Sequence, residues 1–245
     1  MNLQKEFTAA IVIIGNEILS GRTVDKNTSF LSSWLNDKGI SVEEVRIIPD
    51  KEKVIIDTVD HLRRTFGYVF TTGGIGPTHD DITSESISKM FSQKYQYHQE
   101  AYKILEKYYE NQDFNEGRKK MAKMPEKAKL IQNPKTFAAG FYVENVFVLP
   151  GVPSILQAMV INLDKLILSG RKILSLSIDT SLRESAIAKE LEEIQNKYND
   201  VDIGSYPYFK DKPGTVFVMR SINKKNIDLC EKEIRLLVKD NIINS

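Results

Sequence analysis

Tyr68-Val69-Phe70-Thr71-Thr72-Gly73-Gly74-Ile75-Gly76-Pro77-Thr78-His79-Asp80-Asp81-Ile82-Thr83 is the stretch that decides the fold. Tyr68 to Thr72 has the apolar, β-branched pattern of a strand, and Thr83 reads as the N-cap of a helix. Between them lie three glycines, a proline and two adjacent carboxylates. Glycines there expose backbone N–H groups to an anion, and the following helix directs its positive end at the same space. Carboxylates beside such a nest repel a bare phosphate, so a divalent cation between them is expected. The turn reads as a phosphate site with a metal.

Working outward, Thr8 to Ile14 is continuously apolar, as in a strand buried on both faces of a parallel sheet, and Gly15-Asn16-Glu17 ends it. A helix is expected from about Thr28 to Lys38, with Phe30, Leu31, Trp34 and Leu35 on one face and Gly39 as its stop. A strand over about Ser41 to Ile48 ends at Pro49-Asp50. The next helix carries Val54, Ile55, Val59, Leu62 and Phe66 and closes at Gly67. Strands alternating with helices of this length predict right-handed βαβ units and a three-layer, doubly wound α/β fold with a mostly parallel sheet.

A polar, mainly helical insertion spans roughly residues 93–122. Asn145 to Leu149 is a further strand, ending at Pro150-Gly151-Val152-Pro153. A long amphipathic helix follows, with Ile155, Leu156, Met159, Val160, Leu163 and Ile167 facing inward. After Gly170 the rhythm changes: a strand, a helix over Glu184 to Tyr198, two short strands and a closing helix. Residues 170–245 therefore read as a small α+β domain behind an α/β domain of residues 1–169.

The 245-residue chain is 41% hydrophobic and 27% charged with a net charge of +1, so no charge excess favours nucleic acid or anionic lipid. The densest basic run, Arg118-Lys119-Lys120, is short. The single cysteine, Cys230, lies at helical spacing among Ile227, Ile234 and Leu237, as a buried structural thiol would, and fits a reducing compartment. No apolar run approaches the roughly 18 to 20 residues of a membrane span. A cytoplasmic protein is expected.

Ligands of an open parallel sheet bind beyond the carboxyl ends of its strands. Topology should gather Gly15-Asn16-Glu17, Pro49-Asp50, Gly73 to Asp81, and Pro150-Gly151-Val152-Pro153 on that edge. The glycine turn is not a Walker loop, since no Gly-Lys-Ser/Thr follows, and the third glycine of a dinucleotide fingerprint would fall on His79. Asp50, Asp80 and Asp81 are the candidate acids. Asp81 adjoins the nest and Asp50 comes from a neighbouring strand end, so both are placed to reach one magnesium-like ion. Asp80 reads equally as a solvated turn residue, and Glu17 and Asp25 equally as outer contacts or as helix-cap or loop carboxylates. Without a Gly-x-Ser-x-Gly elbow or an exposed cysteine, the expected chemistry is metal-assisted attack on phosphorus.

Thr71 to Thr83 resembles the signature of the MoaB/Mog family of molybdopterin-binding domains. Gly15-Asn16-Glu17-Ile18-Leu19-x-Gly21, with Asp25, Asn27 and Phe30-Leu31, is similar to the N-terminal domain of the CinA (competence/damage-inducible protein A) family and the related domain of eukaryotic FAD synthases. Met121-Ala122-x-x-Pro125, Asn133-Pro134, Ala138-x-Gly140-Phe141 and Leu149-Pro150-Gly151-Val152-Pro153-Ser154 extend the resemblance. Glu184-Ser185 and Gly204-Ser205-Tyr206-Pro207 carry it through nearly the whole chain. Departures are Thr136 and Ala139, where the family keeps Gly and Pro, and Arg183, where glycine is common.

The resemblance implies a MoaB/Mog-like fold. Mog-type relatives bind molybdopterin and handle its adenylylated form with magnesium. The CinA N-terminal domain is associated with divalent-metal-dependent hydrolysis of ADP-ribose, and the FAD-synthase domain with hydrolysis of FAD. Asp50 and Asp81 fall at the acidic positions important in Mog-type proteins, and Gly73, Gly74 and Gly76 on the phosphate-binding turn. The amidohydrolase domain of full CinA proteins and the FAD-synthase catalytic domain have no counterpart in this sequence, so neither activity is expected. Relatives commonly form dimers or trimers, which implies a homo-oligomer.

The combined expectation is a pyrophosphatase of an adenine dinucleotide, ADP-ribose or FAD, that releases AMP with magnesium, manganese or cobalt. Asp50 and Asp81 are its expected catalytic and metal-holding residues. The nucleotide or pterin phosphate would be held by Thr72, Gly73, Gly74, Gly76, Pro77 and Thr78, bordered by Gly15, Asn16, Glu17, Pro150 and Gly151. The alternatives are a molybdopterin-binding or adenylyl-transfer protein, and a nucleotide-binding module without turnover. Neither nucleic acid nor membrane is an expected partner.

Overall fold

In the computed structural model, which describes residues 7–209 and 213–243, the chain divides into two units, Met1–Gly170 and Arg171–Ser245. The first runs β1 (Thr8–Ile14), α1 (Asn16–Leu19), α2 (Asn27–Asp37), β2 (Ser41–Ile48), α3 (Glu52–Thr65), β3 (Tyr68–Thr72) and α4 (Thr83–Met90). It continues through β4 (Tyr95–Tyr97), α5 (Gln99–Tyr108), α6 (Glu116–Lys120), β5 (Lys123–Pro125), β6 (Lys129–Ile131), β7 (Gly140–Val143), β8 (Val146–Leu149) and α7 (Pro153–Val160).

A six-stranded sheet in the order β2-β1-β3-β8-β7-β6 is its middle layer. β1, β2, β3 and β8 are parallel, and β7 runs antiparallel between β8 and β6. The continuous apolar run of β1 serves two cores, because successive side chains of a strand leave on opposite faces. Ala10, Val12 and Ile14 pack with Ile55, Val59 and Leu62 of α3. Ala9, Ile11 and Ile13 pack with Leu31 and Leu35 of α2 and Leu156 and Met159 of α7. β3 is buried along its whole length, and Phe70 stacks on Phe147 with ring centroids 5.1 Å apart.

Several elements differ from expectation. The insertion carries α5 and α6 but opens on a strand: β4 pairs antiparallel with β5 just beyond residue 122, Tyr95 opposite Pro125 and Tyr97 opposite Lys123. β6 and β7 have three and four residues, too short for a periodic signal. The long helix after Pro153 leaves α-geometry at Val160 and continues as a 3-10 turn, Ile161–Leu163. Thr83 is inside α4, not its N-cap; Ile82 holds the cap position, and the Thr83 N–H donates to Gly74 O.

The second unit has β9 (Leu174–Thr180), α8 (Ala188–Lys197), β10 (Asp202–Phe209), β11 (Pro213–Ser221) and α9 (Lys224–Val238). Its three-stranded antiparallel sheet has the order β10-β11-β9. The helix expected from Glu184 begins instead with a 3-10 turn, Glu184–Ala186. Two motif fragments meet there, as Ser205 Oγ donates to Glu184 Oε2 at 2.8 Å. Cys230 is fully buried with Ile178, Phe217 and Ile234, and burial pushes its thiol up to about 11. Among the described residues, no helix is long and apolar enough to cross a membrane.

Phe70 joins the central strand to its neighbours on one face, so Phe70→Ala should cost about 3–5 kcal/mol. Urea unfolding measures this, and a loss below about 1 kcal/mol would show that the ring is not carrying the core.

Candidate functional site

Four strand ends meet at one edge because β1, β2, β3 and β8 run the same way. Backbone bonds stitch their turns together: Gly15 N–H to Ile48 O at 3.1 Å, and Gly73 N–H to Leu149 O at 3.0 Å. Asn27 Nδ2 donates to Gly151 O at 2.7 Å. The chain leaves β1 toward β2 on one side and has β3 on the other, so the crevice between Gly15 and Gly73 is a topological switch point.

Gly73 and Gly74 are required sterically. Gly73 has φ +103°, and a Cβ on it would overlap the Ile14 carbonyl oxygen. Gly74 has φ +68°, and its Cβ would overlap Thr83 Oγ1. A Cβ on Gly76 would lie 2.7 Å from Asp81 Oδ2, so this carboxylate folds against the turn.

Asp81 Oδ2 accepts from the Thr78 N–H at 2.8 Å and from Thr78 Oγ1 at 2.5 Å, while Asp80 Oδ1 lies 2.6 Å from the same hydroxyl. One hydroxyl proton serves one carboxylate at a time. The Thr78 hydroxyl and a backbone N–H hold the exposed Asp80 carboxyl below its usual range, with smaller help from His79 and Lys120. Asp50 Oδ2 accepts from the Asn16 N–H at 2.9 Å. No described hydrogen bond joins Asp50 to Asp81. Glu17 lies over Gly15, whose Cβ would come within 2.5 Å of its Oε1. Asp25 is a helix cap: its carboxylate accepts from the N–H groups of Asn27 at 3.0 Å and Thr28 at 3.2 Å.

Thr72 is buried at the end of β3. It is 1% exposed, and its side chain leaves the strand toward a sheet face, as strand geometry demands. Its Oγ1 has no hydrogen-bond partner among the described residues, nor do Thr71 Oγ1, Thr83 Oγ1, Thr28 Oγ1 or Asn27 Oδ1. A cavity of about 50 Å3 borders Thr72, Asn27, Asp25, Glu17 and Gly151. Unpaired buried oxygens are costly, so their concentration at this edge marks it as built for something other than stability.

The insertion covers the turn from one side, which sequence reasoning missed. Gly117 of α6 sits so close that a Cβ would lie 3.2 Å from Pro77 O, and Lys120 Nζ donates to Thr78 O. Burial pushes the Tyr95 hydroxyl up to about 12, helped by Glu85, Tyr97 and Asp81, so it remains a donor. The one mark of Lys120 in the sequence is its place in the basic run Arg118-Lys119-Lys120.

The donor set fits a magnesium-like ion only with ligand oxygens to complete it. Asp50 and Asp81 each commit Oδ2 internally and leave Oδ1 outside any described hydrogen bond. Among the described residues, no three His, Cys, Asp or Glu side chains form a metal cage. A cavity of about 750 Å3 lies between α5, the loop after β6, and α7 beside Tyr108, Phe137 and Ile161, and none of the expected site residues lines it.

Comparison with known proteins gives a consistent picture. The family described as "Probable molybdopterin binding domain" matches residues 10–168, and "FAD synthase, middle domain" matches residues 172–245. A protein of Archaeoglobus fulgidus is 32% identical over 231 residues, covering 94% of this chain and 97% of that one. A competence-damage inducible protein of Clostridium botulinum is 33% identical over 97% of this chain, which spans 61% of that relative's length. The crystal structure of CinA from Thermoplasma acidophilum aligns with a TM-score of 0.62 at 32% identity, covering 66% of this chain and 98% of that one.

Two substitutions at the turn should have opposite effects on stability. Gly73→Ala should lose about 1–3 kcal/mol to strain and overlap. Thr83→Val removes a buried hydroxyl that has no partner among the described residues and should leave stability unchanged or raise it by about 1 kcal/mol. Both are read from urea midpoints. A marked loss for Thr83→Val would mean that the hydroxyl is bonded in solution.

Proposed function

The chain belongs to the molybdopterin-binding (MoaB/Mog-type) domain family and has CinA-type relatives, and from that premise we propose a divalent-metal-dependent pyrophosphatase that splits ADP-ribose or FAD and releases AMP. One observation carries this reading. At a single sheet edge lie a turn in which Gly73 and Gly74 have no room for side chains and two carboxylates, Asp81 on that turn and Asp50 at the end of β2 beyond β1, each with one oxygen outside any described hydrogen bond. The FAD-synthase match over residues 172–245 supports a dinucleotide ligand.

In this reading Gly74 and Gly76 hold the diphosphate through backbone N–H groups, while Gly73, whose own N–H is bonded to Leu149 O, shapes the turn, with Pro77 and Thr78 at its outer end. Gly15, Asn16, Glu17, Pro150 and Gly151 border it. Asp50 and Asp81 hold the divalent ion, which when bound neutralises phosphate oxygens and lowers the pKa of the attacking water. Asn16 N–H fixes Asp50, and Thr78 fixes Asp81. Water adds to one phosphorus and the bridging P–O bond breaks. The bridging oxygen leaves on the other phosphate, and the protons pass to solvent. Cys230 takes no part, being buried in the other unit.

The family description favours one other reading, a molybdopterin-binding or adenylyl-transfer protein. Oxidised-pterin fluorescence in the purified protein, without AMP release, would select it. A dimer or trimer is proposed on the same family grounds and is read from the mass in light scattering.

Incubation with ADP-ribose and with FAD, plus magnesium, manganese or cobalt, should yield AMP. Asp50→Asn and Asp81→Asn should each lower kcat on the order of 100-fold or more, with thermal midpoints little changed. Absence of AMP with every metal sinks the pyrophosphatase.

A further inference from the structure

The basic run on α6 divides its labour. Arg118 lies over the Tyr109 ring, 4.2 Å from its centroid, and also donates to Asp113 O. Lys119 pairs with Glu116 at 2.7 Å and faces the Phe114 ring. Lys120 alone of the three reaches the glycine turn, donating from Nζ to the carbonyl oxygen of Thr78, 42 positions earlier in the chain. It makes no ion pair among the described residues, and an ammonium has three donors.

The local charge balance gives that ammonium a purpose. Asp80 and Asp81 crowd the Thr78 hydroxyl, and Asp50 and Glu17 stand at neighbouring strand ends. An anion on the turn meets net repulsion unless a cation also faces it. Lys120 is seated for that role by close packing, since α6 approaches the turn so closely at Gly117 that a Cβ there would lie 3.2 Å from Pro77 O. The Asn115 side chain caps the helix by accepting from the Arg118 N–H at 3.1 Å.

We propose that Lys120 is a phosphate-binding residue, which donates to a ligand phosphate held on the Gly73–Thr78 turn while its third bond fixes Thr78 O. This rests on the proposed function only in placing a phosphate at the turn, and it holds for hydrolysis and for binding alone.

Calorimetry with inorganic pyrophosphate and magnesium tests it on the intact chain. Lys120→Gln keeps a donor for Thr78 O but removes the charge, and Lys120→Arg keeps both. Lys120→Gln should weaken pyrophosphate binding about tenfold or more, the scale of a charge-assisted hydrogen bond. Lys120→Arg should stay within about threefold of the unchanged protein, since its guanidinium is likewise a charged donor. The salt dependence of the remaining binding should flatten in Lys120→Gln, which a purely structural tie would not cause. Equal affinity in Lys120→Gln, an equal loss in both variants, or no binding of pyrophosphate to the unchanged protein overturns the assignment. Failure to release AMP from dinucleotides, with pyrophosphate binding intact, overturns the pyrophosphatase reading and leaves Lys120 in place.

Discussion

At Gly73 three strand ends meet backbone to backbone, and no side chain fits between them. Its N–H is bonded to Leu149 O at 3.0 Å, its missing Cβ would overlap Ile14 O, and a Cβ on Gly151 would lie 3.3 Å from its Cα. The left-handed conformations of Gly73 and Gly74 then turn the chain off the edge of the sheet and back into α4. What the edge offers a ligand is therefore backbone polarity, closely spaced and fixed by the sheet.

Charge is unevenly distributed around that edge. Carboxylates come from the ends of β1 and β2 and from the glycine turn, each tied by a local donor or folded over a glycine. The Thr78 hydroxyl has one proton and two acceptors, so Asp80 and Asp81 compete for it. Positive charge comes from the insertion, which packs over the turn through Gly117 and Lys120. An acidic edge and a basic flap together suit a metal-neutralised phosphate better than either does alone.

The parallel half of the sheet was legible in the sequence because β1 and β2 run long and the short β3 and β8, every residue of them buried, end on glycine- and proline-rich turns. β1 has seven residues and β2 eight, flanked by helices with clear apolar faces. The antiparallel edge was not, since β6 and β7 are three and four residues held by pairing to a neighbour. α7 ends early at Val160 although its apolar spacing continues to Leu163 and Ile167, which are still buried through a 3-10 turn and loop. Spacing records burial, and burial does not require an α-helix.

By itself the sequence determined the βαβ order and the positions where only glycine is tolerated. Both depend on local propensity and on the steric needs of a single turn. Tertiary structure alone decided that the Thr72 side chain is buried, and that Lys120 faces Thr78 while its two neighbours point elsewhere. Those outcomes depend on which side of a strand or short helix is covered. That is settled by the packing of segments distant in the chain, and no local pattern encodes it.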